Sequence, residues 1–298
     1  MGLDPLNKLL CLERMYMIVE IEKALVEGFE RDLFAASQKN LSDKSNPLRL
    51  NNYSYAMREL TRHVLHRLAP DENVLKCDWY KNETDKDNGI TRKQRAYYAV
   101  QGGLLDSYVK NTLNLEVEDI HKDLVKAINK LSKFTHIEPK VFGFPDADVD
   151  ALVNETTEAV NGFLATISDC RKLIIDSLWE QIDSAVIDET LRETIQAIDE
   201  LATHHFIDEV YTDKVEIYEI NHEFIMFRAN GAIGCELQWG SNSDLKRGDG
   251  AVLSQSYPFA CELISSVYEP EAVECIEDSL GVDTSSWTDV RYGQDEQA

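Results

Sequence analysis

The sequence predicts an α+β protein in which helices come first and a small antiparallel sheet follows. Three observations carry that prediction. From about residue 6 to residue 204 apolar residues recur at helical intervals. Near residue 213 the period changes to strand-like alternation, in segments bounded by turn residues. Charge divides the same way. Residues 1–140 hold 22 Lys+Arg against 21 Asp+Glu, and the remaining 158 residues hold 8 of the 30 bases and 33 of the 54 acids, a net of +1 against −25.

Taken in order, residues 6 to about 36 read as one long helix. At 100° per residue, Leu6, Leu10, Met17, Ile21 and Ala24 fall within about 60° of one another, and Gly28 is the weak point. Leu9, Leu12, Met15, Ile18, Val19 and Leu25 widen the apolar surface, so burial on more than one side is expected. A polar loop runs from Ser37 to Asn52, and a second helix from Tyr53 to Ala69 stops before Pro70. Residues 71–90 are an irregular charged loop around Cys77-Asp78-Trp79-Tyr80. Helices are expected over 91–113 and 117–134, the latter with Glu116, Glu118 and Asp119 suiting the positive end of a helix dipole. Pro139, Gly143 and Pro145 mark 137–145 as a turn or linker. An acidic helical stretch from Asp146 to about His204 is expected to break near Asp188. Strands then cover Val215 to Ile220, Phe224 to Phe227 and Ile233 to Trp239, within a sheet over 206–270. Gly240 to Gly250 reads as a long polar loop and the last ten residues as a frayed tail. The division is a helical domain 1–140 with the candidate site, an acidic helical connector 141–205 and a β-rich domain 206–298.

Composition narrows the class. Self-repulsion at a net charge of −24 favours solubility and opposes whole-surface attraction to nucleic acid, which leaves any basic working surface in the first half. The acidic half would repel nucleic acid or dock on a basic partner. No apolar run reaches the roughly 20 residues of a membrane span, and Asp4 in Met1-Gly2-Leu3-Asp4-Pro5 is unlike a signal peptide. Cys11, Cys77, Cys170, Cys235, Cys261 and Cys275 are scattered, with no Cys-x-x-Cys pair or zinc-finger spacing. A cytoplasmic protein with free thiols, no metal and no cofactor is expected.

The most informative segment is the second helix. Tyr53, Met57, Leu60, Val64 and Leu68 form a core-facing stripe about 80° wide. Opposite them, Arg58, Arg62, His66, Glu59 and His63 share an arc of about 140°. Histidine serves as a general acid or base near neutral pH, and arginine holds phosphate. Cleavage of RNA through its 2′-hydroxyl needs those two functions and no metal. The bland alternative is a solvated face with a Glu59–Arg62 ion pair at i, i+3.

Arg58 and His63 form Arg-x4-His, which resembles the motif of the HEPN ribonucleases, helical proteins of bacterial defence and toxin systems. A wider resemblance rests on Arg58 to Glu72, Cys77-Asp-Trp-Tyr-Lys81, Thr91-Arg-Lys-Gln-Arg-Ala96, Glu236 to Gly250 and Ser256-Tyr-Pro-Phe259. That order is similar to the predicted nucleases associated with prokaryotic PIWI (Argonaute-like) proteins, over about residues 50 to 260. The resemblance implies a HEPN-like helical domain, an anti-phage defence nuclease, a partner protein of the defence system and a homodimer that brings two second helices together.

Other candidates are weaker. His136, beside Lys133, could complete the site from the end of the fourth helix. Arg92, Lys93 and Arg95, followed by Tyr97 and Tyr98, form the best nucleic-acid contact patch. Ser241, Asn242, Ser243, Asp244 and Asp249 suggest a recognition loop, without the twelfth-position acid of an EF-hand. The expected chemistry is metal-independent endoribonuclease action on an RNA substrate, with Arg58, Arg62, His63, His66 and His136 as catalytic groups. Two alternatives compete: a defence adaptor or ligand-sensing module without catalysis, and a metal-dependent PD-(D/E)xK DNA nuclease using Asp213, Glu236 and Gln238.

Overall fold

The computed structural model describes residues 5–115, 118–192 and 195–287; the side chains of residues 5–12, 118, 120, 121 and 141 lie outside that description. So do the expected tail over the last ten residues, Glu116, and the side chains of Leu6, Leu9, Leu10, Cys11 and Leu12. The chain forms two compact units, residues 1–172 and 173–298.

In the first unit the expected opening helix is two, α1 (Pro5–Ala24) and α2 (Phe29–Ser42). The break falls at Gly28, whose φ of 87° with ψ of −129° is a conformation open in practice only to glycine. Helix α3 spans Arg49–Leu68. Four of the five residues of its predicted stripe are buried and Leu68 is partly so: Tyr53, Met57, Leu60 and Val64 pack with Phe34 and Leu41 of α2 and, further along the chain, with Leu131, Val149, Leu152 and Val153. Ser54, Ala56, Thr61 and Leu65 are buried as well, so α3 is enclosed on more of its circumference than its apolar stripe indicates. A one-turn α4 (Asp71–Val74) leads into the loop, and α5 (Arg92–Gln101) starts at a reciprocal Thr91–Gln94 capping box. Gly102, at φ 57°, ends α5, so the helix expected over 91–113 is divided into α5 and α6 (Asp106–Asn111). Helix α7 covers Glu118–Ser132, and a 3₁₀ turn occupies Pro139–Val141 in the expected linker.

Helix α8 (Asp146–Arg192) is one helix of 47 residues, about 70 Å long at 1.5 Å per residue. It does not break at Asp188 and contributes to both units. Buried Thr156, Thr157 and Thr190 each donate a hydroxyl to the carbonyl four residues back at 2.8 Å, which lets polar side chains lie inside without an orphaned group.

The second unit adds α9 (Gln196–Asp199), β1 (His204–Ile220), β2 (Phe224–Trp239), α10 (Asn242–Arg247), β3 (Ala251–Ser266), β4 (Glu274–Cys275) and β5 (Gly281–Val282). The sheet is an antiparallel meander in the order β1-β2-β3-β4, with β5 also paired to β3. One face buries Ile225, Phe227, Ala229, Ile233, Cys235 and Leu237 of β2 with Tyr257, Phe259, Cys261 and Leu263 of β3. Residues Ile174, Leu178, Ile182 and Val186 of α8 are equally buried in this unit. The Thr212 hydroxyl donates to Asp183 of α8 at 2.8 Å. Gly231 is required by close approach, because a Cβ there would stand 2.0 Å from the Tyr211 carbonyl oxygen. The segment read as a loop over 240–250 contains α10, opened by a Ser241–Asp244 capping box and ended by Gly248 at φ 81°.

Candidate functional site

Three of the arginine and histidine side chains of α3 converge with two from α5. Arg58, Arg62 and His66 line one cavity of about 390 Å³ together with Arg92 and Arg95. Leu65 and Ile128 supply apolar wall, Asp71 lies beside His66, and residues 86–90 close the opposite side. Helical spacing explains the convergence: residues 58, 62 and 66 are four apart, so each step turns about 40° and all three lie on one side of α3. The facing loop is shaped locally. A Cβ at Gly89 would stand 1.8 Å from the Thr84 hydroxyl, so any larger residue there would have to displace Thr84, and Asn88 takes a left-handed φ of 54°. Asn82 and Tyr80 donate to the carbonyls of Lys86 and Gly89 at 2.8 and 3.2 Å, which fixes the wall.

Five cationic side chains, Arg58, Arg62, Lys86, Arg92 and Arg95, face two carboxylates, Asp71 and Asp87, around the cavity. Glu59, just behind, organises two of the guanidiniums. Its Oε1 accepts from Arg58 at 2.8 and 3.2 Å and its Oε2 accepts from Arg62 Nε at 2.9 Å. Burial pushes the Glu59 carboxyl up, and hydrogen bonds from Arg58 and Arg62 more than reverse this, leaving it below its ordinary value. Arg58 is held further by Thr135 at 3.3 Å and lies over the Tyr55 ring. Arg95 is a structural cation: it donates to the Ala69 carbonyl at 2.7 Å, capping the end of α3, and pairs with Asp71 at 2.6 Å. Arg62, Arg92 and Lys86 are exposed at the cavity. His66 Nδ1 stands 4.0 Å from Asp71. Burial holds the His66 imidazole below the usual histidine value, the Arg95 guanidinium adds to this, and Asp71 opposes it. The imidazole is therefore neutral at pH 7 and able to accept a proton.

The other predicted residues lie elsewhere. His63 is five residues from Arg58, about 140° around the helix. It packs edge-to-face on Phe29 of α2 with ring centroids 4.7 Å apart, and its Nε2 is 3.3 Å from Arg62. Arg58 and His63, the two ends of Arg-x4-His, are thus not brought to one cavity within this chain. His136 is exposed and does not line the cavity, although its neighbour Thr135 touches Arg58. Lys93 opens on a different cleft from Arg92 and Arg95. Tyr98 is in the core and Tyr97 packs edge-to-face on Trp79, so this pair is not the exposed stacking platform that its sequence suggests. Asp71 and Lys86 were legible only as charges in an aperiodic loop; no spacing links them to α3.

In the sheet, β1 and β2 pair Phe206 with Glu236, and Asp213 is seven residues further along β1, about 23 Å away at 3.3 Å per residue. Gln238 donates to the Gly240 carbonyl at 2.8 Å and serves the turn. Asp213, Glu236 and Gln238 therefore form no single constellation. Around α10, Ser241 and Asp244 are engaged in the capping box and Asp244 and Asp249 pair with Arg247, so these polar groups hold the loop's own shape. The Ser241 hydroxyl and amide hold the Asp244 carboxyl below its ordinary value. Among the described residues, no three His, Cys, Asp or Glu side chains gather as a metal site, and no helix is long and apolar enough to cross a membrane. Cys77, Cys170, Cys235, Cys261 and Cys275 are free thiols.

A family model described as a predicted pPIWI-associating nuclease matches residues 22–160, and a second of the same description matches residues 167–288. This chain belongs to the predicted pPIWI-associating nuclease family. The short gap between the two matches, residues 161–166, falls inside α8, close to the boundary between the two compact units at residue 172. The family description supports a nuclease role in a defence-related context and a partner protein. No curated protein and no solved structure matches the chain.

Proposed function

We propose that this protein is an anti-phage endoribonuclease of the cytoplasm whose active site is the α3–α5 cavity. One observation carries the reading: Arg58, Arg62, His66 and Arg92, from two helices, line a single cavity of nucleotide size. Neutral His66, oriented beside Asp71, takes the proton of an RNA 2′-hydroxyl. The 2′-oxygen attacks the adjacent phosphorus and the bond to the 5′-oxygen breaks, leaving a 2′,3′-cyclic phosphate and, after protonation, a 5′-hydroxyl. Arg62 and Arg92 hold the non-bridging oxygens as charge develops on them, and Glu59 keeps Arg58 and Arg62 in place. No step requires a metal. His66 takes the base role in preference to His63 and His136 because only His66 lines the cavity.

Full-length protein incubated with RNA and with DNA, in EDTA and in Mg²⁺, tests this. RNA cleavage that persists in EDTA and is lost in His66→Ala is expected. Cleavage that requires Mg²⁺ and survives His66→Ala would refute it. A homodimer remains part of the reading, as does docking of the partner protein on the acidic second unit.

A specific observation favours a second reading, a binding module without catalysis. Arg58 and Arg62 already share Glu59, and Arg95 is paired with Asp71, as in a site that only holds an anion. Binding of RNA without turnover under every condition would select that reading.

A further inference from the structure

Next to the arginine–histidine cavity is a second, more basic cleft of about 670 Å³. Lys93 of α5, Lys122, Lys126 and Lys130 of α7 and Lys133 in the turn just after α7 surround it, against one carboxylate, Glu155 of α8. The α7 lysines recur at i, i+4 and i+8, one stripe along the helix, and Lys133 follows one residue past its end. At 1.5 Å per residue the first two steps are about 6 Å each, comparable with the separation of successive phosphates along one nucleic-acid strand. Lys130 pairs with Glu155 and Lys122 with Asp119. Among the described residues, Lys93, Lys126 and Lys133 meet no carboxylate at ion-pair distance, and all three are exposed. Beyond Lys126, Asp123, Glu155 and Glu158 bound a separate acidic hollow, which limits an anion's path on that side.

The linings of the two openings touch. Arg92 lines the arginine–histidine cavity and donates from Nη1 to Asn129 Oδ1 at 3.2 Å, and Asn129 lines the lysine cleft. We infer that the α7 lysine stripe binds the phosphate backbone of one nucleic-acid strand and leads it past Arg92 into the α3–α5 cavity. A single strand fits better than a duplex, because the cations form one row and the cavity beyond Arg92 holds only about 390 Å³. The inference rests on the proposed active site for its direction, but binding to the lysines is separable from cleavage.

The experiment measures fluorescence anisotropy of a 5′-labelled 20-nucleotide uridine RNA on the full chain across a salt series, with the matching DNA strand, a duplex and polyglutamate as further arms. Lys126→Ala/Lys133→Ala is expected to weaken RNA binding at least about tenfold near 0.1 M salt, and to flatten the log–log salt slope by about 0.7 per lysine removed. Lys93→Ala/Lys133→Ala, altered on α5 and in the turn after α7, guards against a folding defect in either pair, and circular dichroism checks both. His66→Ala should bind RNA as the wild type does while failing to cleave it. Unchanged affinity and slope in two folded lysine variants would overturn the strand path while leaving the proposed active site intact. Equal competition by polyglutamate, or tighter binding of the duplex, would also overturn it. Weakened binding in the lysine variants with full cleavage by His66→Ala would remove the active-site reading and keep the cleft.

Discussion

The two units place their polar groups in opposite ways. The first carries 24 Lys+Arg and 27 Asp+Glu, a formal −3, and the second carries 6 and 27, a formal −21. In the first unit cations from different helices gather around two hollows, with carboxylates such as Glu59 and Asp71 set between them. In the second, β2 and β3 bury an apolar face, and the polar groups of the 240–250 segment are engaged in their own turn. Net charge alone does not mark a nucleic-acid site. A unit near neutrality presents a strongly basic surface when its acids pair elsewhere, as Glu30 does with Arg67 at 2.8 and 2.9 Å.

The sharpest way to break this comparison is to move the activity. His66→Ala in the first unit is expected to lower RNA cleavage about 10²–10⁴-fold, the usual contribution of a positioned general base. Glu236→Ala in the second should leave turnover unchanged. Initial rates on one RNA substrate decide it, and the reverse pattern would transfer the chemistry to the sheet.

A large effect on stability is expected without any on chemistry. Phe227 is fully buried on β2, and Phe227→Ala should cost about 3–5 kcal/mol by lost burial and cavity formation. Denaturant titration reads it, and a loss below about 1 kcal/mol would mean that the sheet face is loosely packed.

A smaller effect appears in pH profiles. Because the His66 pKa is lowered in the folded protein, the neutral base persists below the ordinary histidine value of 6.5. The acid limb of cleavage should therefore lie below pH 6.5, and Asp71→Asn, which removes the opposing carboxylate, should move it lower still. Glu30 gives a stability counterpart. Burial raises its carboxyl, and the Arg67 hydrogen bonds, the Val26 N–H and the nearby Arg67 charge together more than reverse this, so its folded value lies below the unfolded one. That contribution is present above the unfolded pKa and is lost as pH falls through the folded one, so the loss belongs below about pH 4.5. Thermal melts between pH 3 and 6 should show Glu30→Gln with the shallower acid decline.

The smallest expected change separates shape from recognition in the second unit. Ser241→Ala removes the capping hydroxyl of α10 and should cost about 1 kcal/mol. RNA cleavage should not change; a turnover defect in the folded variant would give this segment a role in recognition.

The sequence by itself determined the order of helices then strands, because hydrophobic period is a local property that survives into the fold. It also determined the core stripe of α3, where Tyr53, Met57, Leu60 and Val64 are all buried. The grouping of Arg58, Arg62 and His66 follows equally from four-residue spacing. Element ends were less legible. The break at Gly28 and the stop at Gly102 depend on positive φ, which glycine permits without requiring. Only the tertiary structure separated His66 from His63. A helical wheel places both on one polar arc, but α2 packs Phe29 against one and α5 brings Arg95 and Arg92 to the other. Only tertiary structure joined Asp71, Lys86 and Arg92 to α3, and set Lys93 across from the α7 lysines. The physical reason is range. Periodicity and capping act over a few residues along the chain, whereas a site is made by helices whose contact is fixed by packing between residues far apart in sequence.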